Sequence, residues 1–264
     1  MFNFATIIKN VTMKRFSFVT FLMLLSVIAF GQKTVDFAVY LNGAVPMGDL
    51  GAGDRIKNYD TRDYAMLSEE GRQGYAEYGG GLGLDVTFHL PKGFGILAGC
   101  DYFANLNKSE IKDCFDDWKD EIEETPGASY SYKLPVVMNI PLYIGVNYTA
   151  NRDKNFTFYA EAATGPNFRL ISDFKEEYKY DDNLMDDVTE TVDYKSATTF
   201  AFKFGAGVLM WNRMSVVLDY YSLGSAKVEG TGTTKIGAVA NDEPFKGKKN
   251  LKSSELVLRV GYHF

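Results

Sequence analysis

The sequence predicts an all-β fold: an eight-stranded antiparallel up-and-down transmembrane β-barrel. Three observations predict it. Eight segments alternate apolar and other residues with period two, the mark of a strand with two unlike faces. In each, the apolar row carries no charge, while the opposite row collects charges and glycines. The connections alternate between short and long, as when turns lie on one side of a bilayer and loops on the other. The composition agrees. Aromatics make up 15% of the chain and prolines number 7, which favours strands over disorder or collagen.

The chain opens on residues 1–31, read as a secretory signal. Lys14 and Arg15 precede an apolar run over 16–30, and the small residues Ala29 and Gly31 precede Gln32. The run is shorter than the ~20 residues of a spanning helix. An uncleaved anchor is the rival reading, and Met13 is a candidate true start. Loss of 1–31 removes Lys9, Lys14 and Arg15 but no acid, and moves the formal charge from −6 to −9. Residues 32–264 then form one barrel domain.

The strands follow in order. The first carries Val35, Phe37, Val39 and Leu41 in its apolar row. The second carries Leu82, Leu84, Val86, Phe88 and Leu90, and the third Phe94, Ile96, Ala98, Cys100 and Tyr102. The fourth, 132–148, is the clearest. Leu134, Val136, Met138, Ile140, Leu142, Ile144 and Val146 share a face between Tyr132 and Tyr148, an apolar row between two aromatic girdles. The fifth has Phe156, Phe158, Ala160 and Ala162. The sixth has Phe200, Phe202, Phe204, Ala206, Val208 and Met210, and the seventh Met214, Val216, Leu218 and Tyr220. The eighth has Leu256, Leu258, Val260, Tyr262 and Phe264.

The opposite row holds Asp36, Asp85, Asp101, Glu161, Lys203, Asp219, Glu255 and Arg259, with Gly83, Gly99, Gly205 and Gly261 among its glycines. A water-facing surface is not so rich in glycine, whereas the crowded interior of a small barrel is. Asp85, Asp101, Glu161, Lys203, Asp219 and Arg259 are therefore the candidate interior charges, with the two cations paired against the carboxylates.

Short links are expected at 91–93, 149–155 and 211–213, and long loops at 44–74, 105–129, 172–195 and 224–250. Within the second long loop, Ile111, Phe115, Trp118 and Ile122 form a helical stripe among acids. It reads either as a cap on the barrel mouth or as a partner-binding helix. The third long loop is acidic, with Asp173, Glu176, Glu177 and Glu190 among its carboxylates, and fits no calcium-loop spacing. It reads as a solvated loop, with Phe174, Tyr178 and Tyr180 leaving a recognition surface open.

Several chemistries are excluded or unsupported. An acidic chain offers no basic face for nucleic acid. Two cysteines and two histidines are too few for the usual zinc sites, and no metal, cofactor or catalytic set is expected. Cys100 and Cys114 read as free thiols, with a disulfide as the alternative. His89 and His263 fall at the short-turn end, away from the long loops, so neither serves a nucleophile at the outer rim. Gly79-Gly80-Gly81 leads into a strand, not a helix, and lacks the Lys-Ser/Thr of a phosphate loop.

The alternating final strand, ending Leu258, Val260, Tyr262 and Phe264, and the Pro141-Leu142-Tyr143-Ile144-Gly145-Val146-Asn147-Tyr148 stretch carry a family resemblance. The chain resembles the small outer-membrane β-barrel proteins of the porin or PorT-like type of Bacteroidetes-like bacteria, and more loosely the OmpA/OmpX-type barrels. The resemblance implies a location in the cell outer membrane and contact with its lipid. It also implies assembly through a machinery that reads the C-terminal strand. It supplies no catalytic motif. The expected function is a non-enzymatic envelope barrel whose long external loops meet surface ligands or partner proteins. A narrow diffusion pore, suggested by the interior glycines, and a PorT-like component of a secretion or assembly machine are the alternatives.

Overall fold

A computed structural model describes residues 35–52, 74–150, 154–181, 185–237, 239–240 and 245–264. The signal segment 1–31 and its cleavage point lie outside these residues. Twelve strands form one antiparallel sheet: β1 (Val35–Gly48), β2 (Ala76–His89), β3 (Phe94–Asn107), β4 (Ala128–Lys133), β5 (Val137–Thr149), β6 (Phe156–Ile171), β7 (Phe174–Tyr180), β8 (Val188–Tyr194), β9 (Ala197–Met210), β10 (Met214–Ile236), β11 (Val239–Ala240) and β12 (Phe245–His263). One helix, α1 (Ser109–Glu123), joins β3 to β4.

Eight strands close on themselves. The order β12-β1-β2-β3-β5-β6-β9-β10 returns to its start because β10 also pairs with β12, from Met214↔Tyr262 to Ser222↔Ser254. The joint between the first and last strands runs from Ala38↔His263 to Gly48↔Ser253. Closure removes both sheet edges, so the ring has no unpaired ladder. Within it the even-numbered residues of β2, β3, β5, β6, β9, β12 and of β10 as far as Ser222 face outward, while β1 turns its odd-numbered residues out. A register shift between Ser222 and Ser225 reverses the alternation, so that above it β10 turns its odd-numbered residues out.

The expected count of eight strands is corrected to twelve among the described residues, eight of them in the ring. The segment 132–148 is two strands, not one. Alternation counts residues and cannot detect a change of partner: β4 pairs with β7, whereas β5 pairs with β3 and β6. Between them Pro135 has no N–H to donate. Its carbonyl accepts from Asn107 (2.9 Å), and the Val136 N–H donates to the Ser172 hydroxyl (2.9 Å). The loops expected at 172–195 and 224–250 are also largely strand. β7 and β8 make a hairpin, β8 joins the upper half of β10, and β10 and β12 stay paired as far as Gly232↔Phe245. A sheet in the order β12-β10-β8-β7-β4 therefore stands above the ring.

Helix α1 covers this extension. Ile111 and Phe115 are fully buried, with Trp118 and Ile122 partly so, against Tyr130, Phe174, Val192 and Tyr178. Phe115 meets Tyr132 at 4.9 Å and Phe174 at 5.9 Å between ring centres. The stripe is thus consumed by the chain's own cap. Beneath that layer Tyr130 donates to Glu176 (2.6 Å), whose cross-strand neighbour is Glu190. Burial first, and then the Glu190 charge, push the Glu176 carboxyl up to about 7, against the opposing Tyr130 hydrogen bond.

An acid raised from 4.5 holds its proton in the folded cap over a range where the unfolded chain has released it. The cap's stability is then complete below about pH 4.5 and falls as pH rises to about 7, by up to about 3 kcal/mol. The near-UV dichroism of the tyrosine cluster should melt at lower temperature at pH 8 than at pH 5. Glu176→Gln should remove that difference.

Candidate functional site: a charged core enclosed by the ring

Inside the ring the inward rows of six strands bring together Asp85 (β2), Asp101 (β3), Glu161 (β6), Lys203 (β9), Asp219 (β10) and Arg259 (β12), all buried. Arg259 is the hub. Its Nη2 lies 3.0 Å from Asp85 Oδ2 and 3.4 Å from Asp101 Oδ1. Its Nη1 lies 3.1 Å from Glu161 Oε1 and 3.5 Å from Asp219 Oδ2. The planar guanidinium can serve four carboxylates because it offers donors in two directions. Its face stacks on Tyr40, 3.7 Å from the ring centre. Lys203 pairs with Glu161 and lies 3.8 Å from Asp219. Its ammonium sits over the Tyr143 ring at 4.4 Å.

Tyrosines complete the network. Tyr143, Tyr221 and Tyr159 donate to Asp85, Asp101 and Glu161 respectively, and Asn42 donates to Asp101 at 3.1 Å. These neutral partners escaped the sequence reading, which sorted the inward row by charge alone. Each stands in that row, Tyr143 between outward Leu142 and Ile144, so position would have found them. Four carboxylates face two cations. The tyrosine hydroxyls stabilise the excess negative charge by donating to it, which a low-dielectric interior requires.

Two glycines show how closely the core is built. A Cβ on Gly205 would strike the Asp219 carboxylate, and one on Gly83 would strike Asp101 and lie 3.1 Å from Arg259 Nη2. The space their missing side chains leave is thus filled by the ion network. Gly205→Val should lower the folded fraction on refolding, read as loss of the heat-shifted gel band.

Above the charges lies an apolar layer of Ala44, Phe103, Ala201, Tyr221, Leu223 and Val257, with Phe103 and Tyr221 fully buried. Over that, Arg169 donates to Asn139 (3.1 Å) and to the Leu251 carbonyl (3.2 Å), while Asn139 donates to Glu255 (3.0 Å). A second apolar layer, including Leu50, Val137, Ile171 and Leu251, lies under the extension. At the short-turn end His89 lies 2.7 Å from Asp36, and His263 lies 2.9 Å from the hydroxyl of Ser215, which is itself buried. Cys100 and Cys114 are free thiols. The described residues contain no cluster of three or more His, Cys, Asp or Glu placed to hold a metal.

The final residues seat on the ring. Leu258, Val260 and Tyr262 face outward, each paired with both β1 and β10. The Phe264 N–H donates to the Phe37 carbonyl (2.9 Å), and its ring packs on Phe37 and Tyr262.

No family model matches the sequence, and no curated protein matches it. Among solved structures, the chain is similar to the outer membrane protein OprG from Pseudomonas aeruginosa, with a TM-score of 0.42 at 13% identity over 89% of this chain and 98% of that one. It is similar to Ail, the attachment invasion locus protein of Yersinia pestis, with a TM-score of 0.38 at 10% identity over 88% and 100%. Neisserial surface protein A gives 0.38 at 11% over 87% and 97%. Scores this low carry no weight for function; the strand pairing and the two faces of the ring stand on their own.

Proposed function

We propose that the chain is a non-enzymatic outer-membrane β-barrel protein, closed along its axis, that presents the cap and extension to the cell exterior. The outward face carries this reading. From Phe94 to Leu106, Met138 to Tyr148, Phe156 to Leu170 and Met214 to Tyr220 the outward row has no charged residue, and most of its large side chains are exposed. In water such a surface would far exceed the apolar patch a soluble monomer tolerates. Along tilted strands the Phe94-to-Leu106 and Met138-to-Tyr148 rows span about 25–30 Å, the thickness of a hydrocarbon core. Phe94 and Tyr148 pair at one margin, and Phe156 and Trp211 pair there too, as an interfacial girdle.

The stacked interior layers support a plugged barrel over the narrow-pore alternative, since an eight-stranded ring leaves room only for side chains. The expected result is a folded protein, shown by its heat-shifted gel band, that is electrically silent in a planar bilayer. Steady ion-selective steps would overturn the plugged reading. The PorT-like role is the finer form of the resemblance, and stable co-purification with a secretion complex is its test. A requirement for Phe264 in assembly would support recognition of the last strand by the assembly machinery.

A further inference from the structure

The outward face of the β10–β12 hairpin changes character above the apolar belt. Climbing β12 from Leu256, the outward residues are Ser254, Lys252, Asn250, Lys248 and Lys246. On β10 they are Ser225, Lys227, Glu229 and Thr231, in register with Lys252, Asn250, Lys248 and Lys246. Lys195, at the end of β8, joins them through its N–H to the Glu229 carbonyl (2.9 Å). Together Lys195, Glu229, Thr231, Lys246 and Lys248 line an open cleft of about 590 Å³. Glu229 shares this face with exposed Asp193, the cross-strand partner of Thr231, and the Asp49 carboxylate accepts from the Lys252 N–H (3.1 Å), so five lysines face three acids. Glu229 holds Lys195 at 3.0 Å and Lys227 at 3.1 Å, and among the described residues Lys246 and Lys248 have no acidic partner. The sequence between them and Lys235 adds Asp242 and Glu243, which lie outside the described residues.

This concentration of lysine is local. The chain as a whole is acidic, and α1 carries Glu110, Asp113, Asp116, Asp117, Asp120, Glu121 and Glu123 against Lys112 and Lys119. The outward residues Met47, Leu106, Leu170 and Thr198 at the same rim of other ring strands are uncharged. Height decides the ligand. On a tilted strand each residue climbs about 2.5 Å, so Lys252 lies about 10 Å above Leu256 and Lys246 about 25 Å above it. The head-group zone of a simple phospholipid is only about 6 Å deep, so the strip outreaches it.

We propose that this lysine strip binds the phosphates of an outer-leaflet glycolipid, with Lys252 and Lys227 near the membrane and Lys248, Lys246 and Lys195 on phosphates further along the head group. The inference rests on the membrane reading above. Residues two apart on a strand lie about 7 Å apart, so successive lysines meet successive phosphates instead of sharing one.

The test uses the full folded protein in phosphatidylcholine vesicles containing deep-rough lipopolysaccharide, in its phosphorylated form or after dephosphorylation. Lipid retained by the extracted protein is measured by native mass spectrometry. Phosphorylated lipopolysaccharide should be retained and the dephosphorylated form should not. Lys246→Gln with Lys248→Gln should lower retention about 25-fold, about fivefold per lysine, and 0.5 M salt should mimic the loss. Because both lysines are exposed, the heat-shifted band should be unchanged in the variant.

Equal retention by the variant, or of the dephosphorylated lipid, would overturn the proposal. So would capture of a soluble sulfated glycan in preference to the lipid. Flotation with plain phosphatidylcholine vesicles separates the two levels. A protein that floats but does not discriminate loses only the lysine strip, whereas one that does not float loses the membrane reading as well.

Discussion

Arg259→Leu should abolish refolding or lower the unfolding free energy by about 3–5 kcal/mol, the usual consequence of removing one partner of a buried ion network. The guanidinium contacts all four core carboxylates, and without it Lys203 alone opposes them. The loss should appear as a lower urea midpoint in vesicles and as disappearance of the heat-shifted band. Arg259→Lys retains the charge but not the two-directional fork, nor the stack on Tyr40, and should recover only part of the stability. A midpoint unchanged in Arg259→Leu would mean that the core carboxylates are neutral and the network is not ionic.

Ile144→Arg should cost about 2–4 kcal/mol in a bilayer, because Ile144 stands outward near the middle of the belt, 62% exposed, between Ala98 and Thr164 of the neighbouring strands. In water the same change at so exposed a site would be nearly neutral. The substitution thus separates a membrane barrel from a soluble one by the sign and size of a single midpoint shift in vesicles. Thr231→Arg, placed on the extension above the belt, is the matched control and should leave the midpoint within about 0.5 kcal/mol.

The ring was legible in the sequence because its two faces meet different surroundings at every second residue. The outward Met138-to-Tyr148 row and the inward Asp85, Asp101 and Arg259 are products of that one alternation. The extension was not legible for the same reason. In β7, Phe174-Lys175-Glu176-Glu177-Tyr178 mixes acids into both rows, since one face packs on α1 while the other is only partly exposed. Glu176 reads as a solvated acid from its neighbours, yet it is buried under Tyr130, a fact set by a strand distant in sequence. The α1 stripe is visible as a helix, but its cover is not, because β4 and β7 lie more than 40 residues apart and only their pairing forms the surface it packs on.

The joint between β1 and β12 has a kinetic consequence. It links Ala38 to His263, so the pairing that completes the cylinder has nearly the largest sequence separation the described chain allows. Contacts of that separation form slowly. Arg259 rides on β12, which is held to β10 by their own hairpin, so it sits beside Asp219 before the seam closes. Closing the seam brings β2 and β3 round, and with them Asp85 and Asp101, onto the guanidinium. Zipping the seam and completing the charge network are therefore a single event, and a sheet still open at that joint leaves Asp85 and Asp101 without their cation.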